Sequence, residues 1–295
     1  MDENSSRPIS VGGLTLVVPS HNEGSSLGRV LRDWWDHRPG GIPYEILVVD
    51  DASVDETPGI LHQLESQIPV HSIRNATSLG FGGALREGIL HTTTEWVAFT
   101  DADGQYDPAD LPRLLSALSD SDRLVIGLRS PRADPFHRLA ISIGFRGLLY
   151  AFFALRSKDP TSSLKVGRTE NFRAVAESVR YMNGSFWNEF MIRWIRAGFT
   201  FVEVPVRHLP RRDGLSKVAP RTLLLRVSVQ QLIALLRVWR EFHRRKRAEA
   251  LMQTSAPKGL PARPSNPPSG KVGSRGPTST GAASTRSASP PTSSR

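Results

Sequence analysis

Residues Trp96–Pro108 read W-V-A-F-T-D-A-D-G-Q-Y-D-P, and they determine how the rest of the chain is interpreted. The apolar run Val97–Phe99 has the length of a short buried strand. Asp101, Asp103 and Gln105 follow at alternate positions, and side chains two residues apart in an extended chain point the same way. Oxygen donors without His or Cys suit Mg²⁺ or Mn²⁺. The stretch therefore predicts a divalent-metal site at a strand end. The alternative is an Asx turn that begins the next helix.

Strands and helices alternate on both sides of this stretch. Apolar runs of strand length recur, and each is followed by a polar or glycine-containing break and then by apolar positions at helical spacing. The predicted strands are Leu14–Val18, Tyr44–Val49, Val70–Ile73, Val97–Phe99 and Leu124–Gly127. This alternation predicts the α/β class, with a mostly parallel, doubly wound sheet.

Polar residues follow the predicted strands at the points where they end. Pro19–Glu23 comes after the first strand, and Asp50 and Asp51 come after the second. Ligands of such sheets bind at the carboxyl ends of the strands, so we expect these residues to share one pocket. A carboxylate there can accept hydrogen bonds from a base or a ribose, although each cluster alone favours a turn or a helix cap.

The glycine-containing segment Gly80–Gly88 resembles a phosphate-binding loop in composition only. It matches neither of the two common glycine motifs that cradle nucleotide phosphates. We interpret Gly82 and Gly83 as residues that allow close packing, and Arg86 as a candidate ligand for a diphosphate.

The positive charge of the chain lies mainly at its C-terminal end. The formal net charge is +10, but the residues from Lys246 onward include eight Lys or Arg and one Glu, which leaves about +3 for the rest. A basic nucleic-acid-binding protein remains an alternative, although no interleaved aromatic residues or recognition motif accompany the charge. The absence of cysteine excludes disulfides and thiolate metal sites. Met1–Pro8 lacks the apolar core of a signal peptide, so we expect a cytoplasmic location.

Two later segments have the composition of helices at a membrane surface. Leu139–Leu155 is almost entirely apolar apart from Arg146, and Arg221–Arg240 is rich in Leu and Val with a polar stripe. Arginine near the centre of a segment is costly in hydrocarbon, so helices lying among the lipid headgroups fit better than membrane spans. The alternative is that both helices cover the sheet or pack on each other. Beyond about Ala248, the Ser- and Pro-rich chain is expected to be disordered.

Taken together, the motifs resemble those of family 2 glycosyltransferases with the GT-A fold, in the branch of dolichol-phosphate mannose synthase and polyprenyl-phosphate sugar transferases. The resemblance covers Leu14 to Lys217. In chain order the first-half motifs are P-S-H-N-E, V-V-D-D-A-S-V-D-E-T, N-x-x-x-L-G-F-G-G-A-L-R-E-G and T-D-A-D-G-Q-Y-D-P. The second half contributes D-P-T-S, W-N-E and the more discriminating P-V-x-x-x-x-R-x-x-G-x-S-K, which ends at Lys217.

The resemblance implies a role for each matching position. The implied metal ligands are Asp101, Asp103 and Gln105. The implied nucleotide-sugar contacts are Pro19, His21, Glu23, Asp50, Asp51, Asp101, Ala102, Asp103 and Arg129. The implied acceptor-phosphate contacts are Arg132, Arg211, Ser216 and Lys217, and the implied catalytic residues are Asp103, Asp159, Arg211 and Lys217. Ser163 stands where the family commonly has Gly, which affects the shape of the acceptor-side loop.

Composition and the resemblance together predict a domain plan. A disordered N-terminus, 1–10, precedes a GT-A domain, 11–217, which contains an interfacial helical region at 136–158. An amphipathic membrane-surface helix, 218–247, and a disordered basic tail, 248–295, would follow.

The implied reaction is a metal-dependent, inverting transfer of a sugar from a UDP- or GDP-sugar to a polyprenyl phosphate at the inner face of a membrane. A separate membrane-anchoring protein is a further expected partner, and nucleic acid is not. The alternatives are a family 2 enzyme acting on a polysaccharide, protein or small soluble acceptor, and a sugar-nucleotide binder without activity.

Overall fold

Short apolar, β-branched runs form the strands of one sheet. The computed structural model describes residues 12–118, 123–131, 136–211 and 228–244 of the chain. The predicted N-terminal segment 1–10, the tail 248–295 and residues Arg132, Ser216 and Lys217 lie outside the described residues. The strands are β1 Leu14–Ser20, β2 Tyr44–Asp50, β3 Val70–Arg74, β4 Trp96–Phe99, β5 Arg123–Arg129, β6 Lys165–Arg168 and β7 Thr200–Val206.

The strand order is β3-β2-β1-β4-β6-β5-β7. β1 is parallel to β2 and β4, β2 is parallel to β3, and β5 is parallel to β7. Only β6 among these strands runs the other way, and it is antiparallel to both β4 and β5. The predicted α/β class and mostly parallel sheet are therefore confirmed. Because Lys165 pairs with Phe99, the reversed strand brings the loop before it to the carboxyl end of β4.

Helices cover both faces of the sheet. They are α1 Gly24–Asp36, α2 Thr57–Glu65, α3 Gly80–His91, α4 Leu111–Ser116, α5 Phe136–Phe153, α6 Thr169–Ala176, α7 Phe186–Arg196 and α8, residues 228–244. The apolar sides of α1, α2 and α4 share one buried cluster with inward residues of the sheet. α3, α5, α6, α7 and α8 contribute to the cluster on the other face. Burial of both faces accounts for strands that read as continuous apolar runs rather than alternating ones.

The backbone beyond β4 differs from the sequence interpretation. β4 ends at Phe99, and the chain turns between Asp101 and Gln105 instead of continuing as an extended strand. Gly104 has a φ of +71°, which a residue with a side chain adopts at a cost. The prediction that Asp101, Asp103 and Gln105 point the same way because they alternate along an extended strand is therefore wrong. A tight turn, and not strand periodicity, sets the directions of these side chains.

The two apolar segments pack on each other, as the sequence alternative proposed. The ring of Phe152 on α5 lies 6.1 Å from that of Trp239 on α8, and the ring of Phe153 lies 6.3 Å from that of Phe242. Over the parts of the chain that are described, no helix is both long and apolar enough to cross a membrane.

We predict that Gly88→Ala destabilises the protein, because α3 lies directly on the sheet at this glycine. A Cβ at Gly88 would lie 2.3 Å from Cγ1 of Val17 on β1, and the β-branched valine has little freedom to move. We expect the free energy of unfolding to fall by about 1–3 kcal/mol. Urea denaturation with an unchanged slope would measure this loss.

The matched control is Gly59→Ala in α2, where nothing lies within 4 Å of the added carbon. It should be neutral or stabilise by up to about 1 kcal/mol, because alanine favours helix more than glycine does. Equal effects of the two substitutions would contradict the close approach of α3 to the sheet.

Candidate active site

The loops after β1, β2 and β4 and the N-terminus of α3 enclose a pocket at the carboxyl ends of the parallel strands. Its volume is about 300 Å³. It is lined by Pro19, Ser20, His21, Glu23, Asp51, Ser78, Gly80, Phe81, Ala84, Asp101, Ala102 and Asp103. Seven of the nine predicted nucleotide-sugar contacts are among these residues, and Asp50 and Arg129 are not. The pocket therefore combines apolar walls with a cluster of carboxylates, in the position where ligands of such sheets bind.

The turn after β4 is fixed by contacts on two sides. The carbonyl oxygen of Ala102 accepts a hydrogen bond of 2.9 Å from the hydroxyl of Ser26 on α1. The backbone N–H of Gln105 donates to Oδ1 of Asp103 over 3.1 Å. These bonds hold Asp101 and Asp103 at the pocket without support from a regular strand.

Asp101 and Asp103 act on each other through their charges. Burial, and after it the negative charge of Asp103, raises the pKa of Asp101 to about 6, against the opposing effects of Ser163, Arg129 and Lys165. Both causes disfavour the ionised carboxylate, and a nearby positive charge would favour it. A divalent cation between the two carboxylates would relieve this repulsion.

The pKa of Asp103 is raised in the same way. Burial is the largest cause, and the charge of Glu23 adds to it, whereas the amide of Gln105 and the charge of Arg211 lower it. Both carboxylates therefore lie in an environment that favours binding of a cation.

The donor set fits a hard divalent cation that is shared with a ligand. Among the described residues there is no group of three or more His, Cys, Asp or Glu arranged to hold a metal. Mg²⁺ typically takes one or two carboxylates and completes its shell with water and substrate phosphates, which matches Asp101 and Asp103. Gln105, the third predicted ligand, does not line the pocket, and its amide nitrogen donates to the carbonyl of Leu209 over 3.2 Å.

Asp51 holds the N-terminus of α3 at the pocket wall. Its Oδ1 accepts hydrogen bonds from the side chain of Asn75 at 2.8 Å and the amide of Leu79 at 2.7 Å. Its Oδ2 accepts from the hydroxyl of Ser78 at 2.7 Å and the amide of Gly80 at 2.8 Å. Burial acts to raise the pKa of Asp51, but these four hydrogen bonds outweigh burial and the pKa is lowered. Asp51 is therefore an ionised anchor for the loop before α3.

Asp50 and Arg86 have structural contacts away from the pocket. Asp50 is buried, accepts from the amide of Ser53 at 2.9 Å and pairs with Arg74 at 2.6 Å. Arg86 donates to the carbonyl of Val179 behind α3. Neither faces the pocket in which the sequence interpretation put it.

The glycines that were interpreted as packing residues do pack closely. A Cβ at Gly82 would lie 2.4 Å from Oδ1 of Asn183, and one at Gly83 would lie 2.4 Å from Cβ of Leu79.

Arg129 and Asp159 form a two-pronged ion pair beside the pocket. Nε and Nη2 of Arg129 each lie 2.7 Å from one carboxylate oxygen of Asp159, and Nη2 also donates to Thr161 at 3.0 Å. Asp159 is fully buried, and its amide donates to Oε1 of Glu203 at 3.0 Å. Asp159, a predicted catalytic residue, is not among the residues that line the pocket. Its carboxylate orients Arg129.

Nη2 of Arg211 pairs with Oε2 of Glu23, which lines the pocket. The charge of Arg211 also lowers the pKa of Asp103, so the guanidinium and the carboxylate pair share one region. Of the four predicted acceptor-phosphate residues, Arg211 is within the described chain, and it lies next to the proposed metal ligands.

A buried network of polar contacts next to the site was not predicted from the sequence. Nζ of Lys165 donates to the carbonyls of Pro160, at 3.1 Å, and Ser162, and it lies 4.5 Å from the ring centre of Trp187. Burial lowers the pKa of Lys165 to about 7. A lysine next to an apolar run gave no sign that it would be buried, because its partners are carbonyls whose directions only the fold determines.

Tyr106 and Ser163 belong to the same network. The amide of Ser163 donates to the hydroxyl of Tyr106 over 2.9 Å, and the side chain of Ser163 acts to lower the pKa of Asp101. The serine that departs from the family pattern therefore carries a hydroxyl close to a proposed metal ligand, which glycine lacks.

The fold is similar to that of a solved sugar-transferring enzyme. Glucosyl-3-phosphoglycerate synthase from Mycobacterium tuberculosis, solved with Mn²⁺, UDP-glucose and phosphoglyceric acid, superposes with a TM-score of 0.58 at 20% identity. The superposition covers 77% of this chain and 79% of that one. The architecture is thus the GT-A fold, as predicted.

Comparison of sequences identifies the family. Residues 15–176 match the model of the family described as Glycosyl transferase family 2. The chain belongs to this family and is a glycosyltransferase, similar to polyprenyl-phosphate sugar transferases.

Three relatives illustrate the similarity. An uncharacterized glycosyltransferase of Mycobacterium tuberculosis is 32% identical over 77% of this chain and 96% of its own length. Undecaprenyl-phosphate mannosyltransferase of Micrococcus luteus is 31% identical over 69% of this chain and 86% of its own. Dolichol-phosphate mannosyltransferase of Pyrococcus furiosus is 30% identical over 71% of this chain, but only 60% of its own length is covered.

We predict that Asp51→Asn lowers the free energy of unfolding at pH 7 by about 1–3 kcal/mol. The substitution replaces a carboxylate oxygen, which accepts hydrogen bonds, with an amide NH2 group, which cannot accept them. The pKa of Asp51 is lowered from 3.8 in the folded protein, so its ionised form stabilises the fold above about pH 4. This stabilisation is lost as the pH falls through the folded-state pKa.

The measurement is urea denaturation of parent and variant from pH 7 down to pH 3. The difference in free energy of unfolding between parent and variant should be constant from pH 7 to about pH 5, and it should become smaller below about pH 4. The exposed substitution Asp36→Asn serves as the control and should show neither effect. A difference that does not change with pH would contradict the role assigned to the ionised Asp51.

Proposed function

We propose that this enzyme transfers a sugar from a UDP- or GDP-sugar to a polyprenyl phosphate, with inversion at the anomeric carbon and with Mg²⁺ or Mn²⁺. The observation that carries the proposal is that two kinds of group lie near each other. The half-buried carboxylates Asp101 and Asp103 line the pocket and suit a metal and a nucleotide diphosphate, and Arg211, which pairs with Glu23 and acts on Asp103 through its charge, suits the phosphate of an acceptor.

The pocket walls suit a nucleoside. Pro19, Phe81 and Ala84 offer apolar surface to a base, and His21 and Glu23 offer polar atoms to a base edge or a ribose. Nδ1 of His21 lies 2.7 Å from the carbonyl of Asp51, which fixes the ring at the pocket wall. Pro19, His21, Glu23 and Asp51 therefore form the proposed nucleoside side of the site.

The proposed chemistry needs charge stabilisation more than a protein nucleophile. A bound divalent cation would offset the negative charge that grows on the departing diphosphate. Asp101 and Asp103 would hold that cation, and Arg129, oriented by Asp159, would add positive potential at the edge of the site.

The acceptor side of the proposal rests on Arg211, together with Arg132, Ser216 and Lys217 as expected partners. A phosphate monoester has its second pKa near ~6 by analogy with phosphorylated side chains, so it is largely ionised at neutral pH. An ionised phosphate attacks without a strong general base. This matches a site in which Asp159 is already paired with Arg129.

Relatives support the lipid acceptor, whereas the fold leaves the acceptor open. Two similar proteins are named for undecaprenyl phosphate and dolichol phosphate. The solved structure with the same fold was obtained with phosphoglyceric acid, a small soluble molecule. Transfer to a soluble acceptor is therefore the second candidate function, and the choice between them is made by experiment.

The test is product formation with purified protein. It would be incubated with Mg²⁺ or Mn²⁺, a panel of UDP- and GDP-sugars, and either a short polyprenyl phosphate or 3-phosphoglycerate. We expect a metal-dependent glycosyl phospholipid in the lipid fraction by mass spectrometry, with the anomeric configuration opposite to that of the donor. Transfer only to 3-phosphoglycerate, or only hydrolysis, would overturn the lipid assignment.

We predict that Asp103→Asn reduces turnover at least about 100-fold, because it removes one negative charge from the pair that would hold the metal. The concentration of Mn²⁺ needed for half-maximal activity should also rise. Asp36→Asn, at an exposed residue that does not line the pocket, is the control and should keep normal turnover. Near-normal turnover of Asp103→Asn at saturating metal would rule out the metal assignment.

The outer surface of α5 and α8 is the proposed contact with the membrane. Nine large apolar side chains are exposed in the described part of the chain, and six of them lie on these two helices. The six are Ile141, Ile143, Tyr150, Val229, Leu232 and Ile233. Apolar residues on packed helices that also carry arginines fit the headgroup region of an anionic bilayer.

We predict that the double substitution Ile143→Glu/Ile233→Glu weakens binding to phosphatidylglycerol vesicles by at least about tenfold, the change that ~1.4 kcal/mol produces. It replaces exposed apolar surface with charges that the lipid repels. Val54→Glu, at a residue that is 89% exposed elsewhere on the protein, is the matched control. Vesicle sedimentation would measure both, and equal binding of the double variant and the parent would exclude this surface.

A further inference from the structure

Glu189 on α7 is a fully buried carboxylate that holds a segment of backbone. Its Oε1 accepts the amide N–H of Arg180 at 2.9 Å, and its Oε2 accepts those of Tyr181 at 2.7 Å and Met182 at 2.8 Å. Three successive amides that point at one carboxylate form an anion-binding nest. The position of the segment 180–182 therefore depends on this one side chain.

The same carboxylate is linked to α8 through one arginine. Nε of Arg193 donates to Oε1 of Glu189 at 2.8 Å, and Nη2 of Arg193 lies 2.9 Å from Oε2 of Glu241 on α8. Arg193 is only 5% exposed, so the three charges interact with little screening by water. α8 thus contributes one of the two anions that hold Arg193.

The residue after the held segment touches the N-terminus of α3. Nδ2 of Asn183 donates to the carbonyl of Leu79 at 2.8 Å. The fit is tight, because a Cβ at Gly82 would lie 2.7 Å from the carbonyl oxygen of Asn183. A shift of 180–183 would therefore move the start of α3.

The start of α3 is one wall of the pocket. The amides of Leu79 and Gly80 bond to Asp51, and Gly80 and Phe81 line the pocket directly. A continuous series of contacts therefore leads from α8, through Arg193 and Glu189, to the pocket wall. The opposite wall, which carries Asp101 and Asp103, is held through Ser26 on α1 and does not belong to this series.

We propose that Glu189, Arg193 and Glu241 form a positioning network that makes the shape of the donor pocket depend on how α8 is seated. The inference rests on the proposed function, in which this pocket binds the nucleotide sugar. None of the three residues touches the pocket, so they act through the segment 180–183. α8 is also one of the two helices whose outer surface is proposed to contact the membrane.

The first experiment tests the network without any nucleotide. Glu241→Ala removes one anion from Arg193, and the ring contacts of Trp239 and Phe242 still hold α8 on α5. We expect hydrogen–deuterium exchange at the amides of Leu79 and Gly80 to speed up roughly two- to thirtyfold, the range of coupling effects of 0.5–2 kcal/mol. Glu170→Ala, at an exposed helical carboxylate on α6, is the matched control and should leave these amides unchanged.

The second experiment measures donor binding. Glu241→Ala should raise the KM for the nucleotide sugar, and the Kd for its nucleoside diphosphate with Mn²⁺, by a similar factor. Turnover at saturating donor should stay within about twofold, because Asp101 and Asp103 are held from the other side. A loss of turnover with an unchanged KM would mean that Glu241 only supports the fold, and it would overturn the proposal.

A double substitution tests the route. If the effect passes through Asn183, then Asn183→Ala and Glu241→Ala together should raise the donor KM by less than the product of their separate effects. Fully independent effects would overturn the route. Glu189→Gln adds a direct test if it folds, and the other two variants decide the matter if it does not.

The outcomes separate the two proposals. Unchanged exchange at Leu79 and Gly80 in Glu241→Ala overturns the network whatever the enzyme binds. Faster exchange in a protein that binds neither UDP nor GDP keeps the coupling of α8 to α3 and overturns the proposed function.

Discussion

The site depends on the confinement of two like charges in one turn. Asp101 and Asp103 follow a buried strand of only four residues, and the turn is held by the hydroxyl of Ser26 and by the amide of Gln105. These bonds keep the two carboxylates near each other although burial, together with neighbouring negative charge, raises both of their pKa values. Because the fold holds the turn in place, a cation that bound there would find the site already formed.

The reversed strand β6 completes the site from the other direction. A purely parallel sheet would place only the loops that follow strands at this edge. Because β6 runs antiparallel to β4, the loop that precedes it, with Asp159 and Ser163, reaches the same edge. Ser163 then lies close enough to Asp101 to act on its pKa, and Asp159 orients Arg129. The reversal therefore allows groups from the second half of the chain to meet the carboxylates of the first half.

The sequence predicts structure well where local pattern determines it, and poorly where residues far apart in the chain come into contact. The five predicted strands form, and the order of motifs correctly indicated the family and the GT-A fold. β6 and β7 were missed. Lys165–Arg168 has too few apolar residues to stand out, and the apolar run of Thr200–Val206 is interrupted by Glu203 and Pro205. Asp50 and Asp51 are adjacent and alike in sequence, and only the fold turns one inward to Arg74 and the other toward α3.

The ion pairs around the pocket link the binding of a metal ion to the binding of a diphosphate. Arg129 is paired with Asp159 and Arg211 with Glu23, so over the described residues both of these guanidinium groups already have a carboxylate partner. A diphosphate that arrived alone would add negative charge to a region where the pKa values of Asp101 and Asp103 are already raised. A dication and a diphosphate would each improve the site for the other, by the same factor in both directions. The affinity for metal measured without nucleotide would then understate the affinity in the working enzyme, and occupancy of the two would rise and fall together.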